Sequence, residues 1–487
     1  MSDEKTGSSR GRWTRRQFVR NTGLGALAAT GIARGNAAFG EEPEAEQQPR
    51  PGGSGPSPDY DAIVLGAGFA GVTAARELRT KGLRVLLLEA RPRIGGRTFT
   101  SEIGGHQVEL GGAFVHWTQP HVWAEITRYG LEIEEAALTA PPRSAWVTSG
   151  ELREASLDDF SLLAFRAAGA FFFDAMQVME RPHDQLFVPG VAKVDRLSVS
   201  DRLDGLRLPE DQRDVLDAIF ATSCHCSPSE AGVVEMLRWY TLPGASLQAY
   251  VDSVGRYWLR GGTKTLIEGM LADAGLEPQL STPVTAVRQQ DGGVVVTTEG
   301  GETVSARAVV VTIPLNVLGQ IEFSPPLSPE KRAAASEGHA GSGVKLHIRV
   351  RGQLGNFNGL APSPAPLTSL QTEFSDPEGT VLTAFGPSGK LIDINDDQAI
   401  QEAVRRLVPG AEVQWAAGYD WNADPYSRGT WCVFRPGQLT RYLRELQRPE
   451  GRVFYASGDN ANGWRGFIDG AIESGLRAGR EVVAALG

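Results

Sequence analysis

YDAIVLGAGFAGVTAARELRTKGLRVLLLEARPRIGGRT, from Tyr60 to Thr98, decides how the chain is read. Ile63 to Leu65 is a short apolar run, which predicts a buried parallel strand. It feeds Gly66-Ala67-Gly68-Phe69-Ala70-Gly71, a G-x-G-x-x-G turn. In such a turn the first glycine permits the tight bend. The second admits a pyrophosphate close to the backbone, and the third lets the following helix pack on the strand. The spacing predicts a helix from about Ala70 to Lys81, its unsatisfied N–H groups aimed at phosphate. A second strand, Val85 to Leu88, then ends at Glu89, about twenty residues on, where a carboxylate can accept from ribose hydroxyls.

The flanks separate the dinucleotides. A nicotinamide enzyme has no use for Arg91-Pro92-Arg93-Ile94-Gly95-Gly96-Arg97-Thr98, which resembles the second phosphate-side loop of glutathione-reductase-like FAD proteins. Arg91, Gly96 and Arg97 are therefore expected beside the cofactor with Gly66, Gly68, Gly71 and Glu89. The expected class is α/β (α+β): a glutathione-reductase-like fold with two dinucleotide-binding domains and an interleaved substrate domain.

A length of 487 residues exceeds one core. Two later segments read as returning to the nucleotide domain. In the first, Val284 to Val287, Gly293 to Thr298 and Ala308 to Ile313 read as strands, the last stopped by Pro314. In the second, Val453 to Tyr455 leads to Gly458-Asp459, and a helix follows from about Ile468 to Leu486. Val284, Gly458 and Ile468 are expected to line the cofactor site, with Asp459 on the ribityl hydroxyls. The FAD-binding domain is thus expected from residues 59–111, 260–314 and 449–487, and the substrate-binding domain from 112–259 and 315–448. A helical apolar pattern from Leu162 to Met179 reads as packing, and 339–350 and 380–385 read as strands.

The formal net charge is −10, and residues 1–40 hold seven Lys/Arg against two Asp/Glu, so the rest of the chain is more acidic than the total. Such a surface argues against nucleic-acid binding. No run reaches the eighteen or so apolar residues of a membrane span, so no stable insertion is expected. Thr14-Arg15-Arg16-Gln17-Phe18 ahead of a small, weakly apolar stretch looks like a twin-arginine export signal over residues 1–40, which predicts a periplasmic or secreted protein. Residues 41–58 read as a solvated, disordered linker. The three cysteines, Cys224, Cys226 and Cys432, offer no disulfide framework. Cys224-His225-Cys226 lacks the second ligand pair that zinc needs; no metal is expected, and buried thiols are the better reading.

Two late segments carry the chemistry: Tyr419-Asp420-Trp421 through Arg428-Gly429-Thr430-Trp431, and Gly458-Asp459-Asn460 through Trp464-Arg465-Gly466-Phe467-Ile468. With Gly111-Gly112-Ala113 and Gly341-Ser342-Gly343-Val344-Lys345, they resemble the flavin monoamine oxidase family in order and spacing, from about Asp59 to the end. Within it the resemblance leans to the nicotine-oxidising bacterial branch, through the segment from His116 to Glu125 and that from Asp469 to Glu481.

That resemblance implies an aromatic cage at Trp431 and Phe467, the latter replacing the family's usual tyrosine. A π face attracts a cation by about 0.5–2 kcal/mol, and two walls orient a neutral amine. It also implies Lys345 as the lysine holding water near the flavin, Trp421 at the flavin edge, and Gly112 and Ala113 on the cofactor. Thr430 stands where mammalian members carry the covalent cysteine, so FAD is expected to be non-covalent. Trp117 and Ser223 are expected on the substrate side. His225 is open between a donor to substrate and a satisfied core histidine, the latter favoured. The implied reaction is oxidation of the C–N bond of a small aromatic-linked amine, nicotine- or pseudooxynicotine-like, to an iminium that water hydrolyses. Oxygen or a periplasmic electron carrier would take the electrons, and homodimerisation stays open. Two alternatives remain: a C–C desaturase of the same fold, and a non-catalytic exported FAD protein.

Overall fold

Four parallel strands hold together the half of the molecule that contains the glycine turn, and they come from distant parts of the chain. In the computed structural model, which describes residues 58–136 and 143–487, Tyr60–Leu65 pairs with Val85–Leu88 on one side and with Thr303–Val311 on the other. The end of Thr303–Val311 takes Val453–Tyr455 as a further parallel neighbour. Their central stretches, Ala62 to Leu65, Val85 to Leu88, Ala308 to Val311 and Val453 to Tyr455, are apolar because both faces are covered. Ala62 and Val64 enter one apolar cluster, while Ile63 and Leu65 enter another on the opposite face.

Val284–Gln290 and Gly293–Thr298 form the antiparallel hairpin that leads into Thr303–Val311, and Glu322–Ser324 closes the sheet edge. The strand expected to run to Ile313 stops at Val311. Thr312, just beyond it, donates both its amide, at 3.0 Å, and its hydroxyl, at 2.7 Å, to the Leu65 carbonyl and so braces the glycine turn.

Helix Phe69–Thr80 is sandwiched between Gly262–Ala274 and the C-terminal helix Ile468–Leu486. Glycine makes the second approach feasible. A Cβ on Gly475 would stand 2.4 Å from the Ala70 carbonyl, and one on Gly479 2.9 Å from the Glu77 side chain.

A second sheet has the order Val413–Gly418, Val344–Val350, Gly379–Gly386, Ser369–Asp376, Phe357–Leu360, Arg143–Thr148, Glu151–Ser156. Leu346, Ile348, Leu370, Leu382 and Ala384 point to the face packed with Ile400, Ala403 and Val404 of helix Asp397–Arg405. The opposite face looks into the molecule, towards a helical layer that contains Leu157–Phe171, Glu210–Cys224, Val233–Thr241 and Leu247–Gly255.

The expected helix over residues 162–179 is two: Leu157–Phe171, capped by the Ser156 hydroxyl, and the short Ala175–Val178. The break lets Phe172 lie flat on Tyr240, with ring centroids 4.1 Å apart, while Phe171 packs on Phe220. Those two rings are packing, as expected; Phe173 is exposed. No helix among the described residues is long and apolar enough to cross a membrane. The export-signal residues and nearly all of the linker lie outside the described residues.

Candidate active site

A cavity of about 820 Å³ begins at the glycine turn and continues between the second sheet and the helical layer. That is the upper part of the range for small-molecule and cofactor sites. Each glycine of the turn answers to a different neighbour. Gly66 has φ +107°, a region costly for a residue with a Cβ. A Cβ on Gly71 would lie 1.9 Å from the Gly66 carbonyl, so the first helical turn can touch the strand only with glycine there. Gly68 differs: an added Cβ would meet nothing closer than 3.6 Å, at Gly96. Protein packing does not demand glycine at 68; open room on the cavity side does, as close approach of a pyrophosphate requires.

Glu89, at the end of the second strand, accepts from the amide of Ala67 at 2.8 Å and from that of Arg91 at 2.9 Å, tying the two loops together at the cavity edge. Arg91 lines the cavity, with its guanidinium clamped to Asp424 through Nε and Nη2 at 3.1 and 2.7 Å. Arg97 donates to the Thr430 carbonyl at 2.8 Å and to the Asp459 carboxylate. Gly96, Gly112, Ala113, Val284, Gly458 and Ile468 also line the cavity. Ile468 opens the C-terminal helix, so the free N–H groups of that helix begin at the cavity wall. The glycine cradle, the carboxylate at the strand end and the helix N-termini suit a dinucleotide with a pyrophosphate.

Beyond that cradle the walls become aromatic. Trp431 and Phe467 both line the cavity. The Trp431 indole N–H donates to the Ser223 carbonyl at 3.0 Å, and one of its faces is covered by the His225 ring, stacked at 4.1 Å and 8°. Phe467 is held edge-on by Trp239 and Trp464, at 5.3 and 5.0 Å. Trp421 is buried, donates to the Leu110 carbonyl at 2.8 Å, and fills the space beside Gly111, where a Cβ would come within 2.9 Å of its ring. Lys345 donates through Nζ to the Glu109 and Gly111 carbonyls at 2.6 and 3.2 Å. Burial pushes its pKa down, opposed by the charges of Glu373 and Glu109. Ser223 lines the cavity and accepts from the Tyr250 hydroxyl at 2.8 Å.

His225 is a core histidine. Its Nε2 meets the Val344 carbonyl at 2.9 Å and its Nδ1 has no partner among the described residues. Burial pushes its pKa down to about 3, so it is neutral across the working range. With Nε2 as the donor to Val344, the ring offers the cavity no N–H. Cys224 and Cys226 are buried in the helical core, as expected for thiols without a surface role. Thr430 lines the cavity, whereas Cys432 is buried behind it, its sulfur 3.8 Å from the Asp459 carbonyl.

Three expected site residues stand off the cavity wall: Gly71, which packs the helix on the strand, Trp117 and Asp459. Trp117 is half exposed and is not part of the cavity wall; its indole stacks on His116 at 3.9 Å and leans on Tyr257 at 5.3 Å. Those two rings, rather than a ligand, explain its orientation. Asp459 is behind the wall, its oxygens taken by Arg97 and by the Leu315 amide at 2.8 Å. It positions Arg97 instead of facing the cavity. Missed from the sequence were Tyr250, Phe385 and the polar wall residues Ser144, Asn358 and Gln371. None belongs to a local motif; only the pairing register of the second sheet brings the last four together.

Residues 69–483 match the family model described as flavin containing amine oxidoreductase. The chain is 44% identical to a pseudooxynicotine dehydrogenase from a Pseudomonas species, over 100% of this chain and 99% of that one. It is 40% identical to a nicotine dehydrogenase from Pseudomonas putida, over 99% of each. Among solved structures, the cyclohexylamine oxidase of Brevibacterium oxydans superposes with a TM-score of 0.75 at 22% identity, covering 88% of this chain and 100% of that one, which speaks for the fold alone.

Proposed function

The chain belongs to the flavin containing amine oxidoreductase family, and from that premise we propose that it oxidises the C–N bond of a small amine attached to an aromatic ring, of the nicotine or pseudooxynicotine type, to an iminium that water hydrolyses. It is a flavoenzyme with FAD as cofactor. The observation that carries the substrate reading is the continuity of one cavity from the glycine turn to a chamber that contains Trp431 and Phe467. The binding of FAD falls to residues 59–111, 260–314 and 449–487, and the chamber to 112–259 and 315–448.

FAD, when bound, supplies the acceptor for the hydride equivalent. The protein supplies capture and orientation. The indole of Trp431 has its N–H committed to Ser223 and one face committed to His225, so its remaining face is the one free for a guest. Neutral His225 behind that ring matters, because an imidazolium there would oppose a cation on the other face. Phe467, fixed by two tryptophans, is the second wall, and an amine held between two such rings loses the freedom that would misalign its α carbon. Lys345, anchored by two carbonyls, would be the fixed donor that holds a water near FAD when FAD is bound. Threonine at 430 and Cys432 turned behind the wall support a non-covalent mode of FAD binding.

Turnover with pseudooxynicotine and with nicotine, followed by mass spectrometry, tests the reading. The expected outcome is a carbonyl compound and a released amine from the former, or a ring-opened or desaturated amine from the latter. Conversion only of C–C substrates would transfer the protein to the desaturase alternative. The electrons pass to oxygen or to a periplasmic carrier, and the twin arginines direct export. Replacing Arg15 and Arg16 by lysine should strand the protein in the cytoplasm, and undisturbed export would refute the signal.

A further inference from the structure

The second sheet carries a polar row onto the chamber wall. Ser144 pairs with Asn358, Asn358 with Gln371, and Gln371 with Thr383, each directly opposite the next. Residues so aligned share one face of a pleated sheet. Here that face is the cavity, which Ser144, Asn358 and Gln371 all line, while their sequence neighbours Ala145, Phe357 and Leu370 enter the core behind. The next row on the same face, one pleat nearer the aromatic walls, contains Leu360, Ser369, Phe385 and finally Lys345.

The row has hydrogen-bonding capacity to spare. Ser144 is fully buried, and its hydroxyl has no partner among the described residues. Leaving a buried hydroxyl unpaired costs about 1–3 kcal/mol unless a ligand supplies the partner. The Gln371 Nε2 reaches the Asn358 Oδ1 only at 3.4 Å, so this long contact leaves N–H groups of both amides unspent. Thr383, by contrast, is already engaged by Glu373 at 2.9 Å. What remains free includes a hydroxyl and amide N–H groups, donors set in a wall that also contains the apolar Leu157, Phe160 and Leu360.

Resting on the amine-oxidase reading above, we propose that Ser144, Asn358 and Gln371 form a distal subsite for a hydrogen-bond-accepting group of the substrate, a ketone carbonyl or a heteroaromatic nitrogen, several bonds from the nitrogen being oxidised. The spacing sets the length. The Phe385 ring meets Trp431 at 6.5 Å, and Gln371 is the diagonal neighbour of Phe385, about 7–8 Å further along the sheet. A compact amine fills only the near end. An extended one reaches the row and satisfies donors that are otherwise idle.

Three amines sharing one methylaminobutyl chain test this: pseudooxynicotine, its phenyl ketone analogue, and N-methyl-4-phenylbutylamine, which has no acceptor. In Gln371→Leu the preference for pseudooxynicotine over the phenylbutylamine should fall about tenfold, chiefly through KM, since what is lost is binding energy at a remote point. Ser144→Ala, which removes only an unpartnered oxygen, should lower it several-fold with the fold undisturbed. If the phenyl ketone behaves as pseudooxynicotine does, the carbonyl is the recognised acceptor; if it behaves as the phenylbutylamine does, the pyridine nitrogen is. An unchanged preference in both variants, each with its full FAD content, overturns the subsite. Failure of the wild-type flavin to bleach with all three amines would instead strike the amine-oxidase reading itself.

Discussion

The glycine turn at residues 66–71 and the chamber around Trp431 open into one cavity, yet they are constructed in opposite ways. The turn is local: Gly66, Gly71 and Glu89 lie within about one βαβ unit, the glycines meeting steric demands from atoms as close as 1.9 Å and Glu89 tying the loops by hydrogen bonds. The chamber is assembled over long range. Trp431 is fixed by Ser223, more than two hundred positions earlier, and Lys345 by the Glu109 carbonyl. The contrast teaches that cofactor retention and substrate handling rest on separate sets of contacts, so that mutation should be able to remove one while leaving the other.

The largest effect is expected at the turn. Gly71→Ala places a methyl group against the Gly66 carbonyl, and overpacking a rigid junction of this kind costs about 3 kcal/mol or more. The variant should emerge without FAD and with a lowered Tm; a yellow, stable Gly71→Ala protein would break the comparison on its first side. Next comes Trp431→Ala. It should keep its FAD but reduce kcat/KM for amines about a hundredfold, the scale on which lost orientation slows a reaction. Release of the cofactor would assign Trp431 to the nucleotide scaffold. Lys345→Met should spare both FAD content and reduction by amine while slowing reoxidation roughly tenfold or more, which stopped-flow mixing of reduced enzyme with oxygen would read. Slowed reduction with normal reoxidation would contradict the assignment of Lys345.

The smallest effect is expected off the cavity, where the C-terminal helix meets helix Pro120–Tyr129. Asp469, in the first turn of the C-terminal helix, accepts from the amides of His121 and Val122 at 2.6 and 2.9 Å and so caps helix Pro120–Tyr129. Burial nevertheless pushes its carboxyl up to about 7. The folded form therefore holds the proton that the unfolded chain releases near 3.8, and stability must fall as pH rises from about 4 through 7. Asp469→Asn keeps an acceptor oxygen and removes the titration, so its Tm should depend less on pH across that window. Identical pH profiles for the two proteins would show that Asp469 is ionised throughout.

The same contrast governs what could be read from the chain alone. Val85–Leu88 and the C-terminal helix Ile468–Leu486 match their expected spans, because apolar runs bounded by glycine or charge are local signals. Thr303–Val311 stops two residues short of its expected end, and the brace that Thr312 places on the Leu65 carbonyl there is a contact that no propensity encodes. The resemblance implies Trp117 on the substrate side, but the orientation of an indole is decided by the rings it meets, here His116 and Tyr257. Asp459 was placed correctly in the chain and wrongly in its duty, since Arg97 reaches it first. The row Ser144, Asn358 and Gln371 left no trace in the sequence, because three separated strands must pair before it exists.

Anaerobic mixing of the FAD-loaded protein with pseudooxynicotine tests the central claim most directly. Bleaching of the flavin absorbance on mixing, restored when an electron acceptor is admitted, is the predicted result. A flavin that stays oxidised in the presence of the amine while remaining bound to the protein would contradict it.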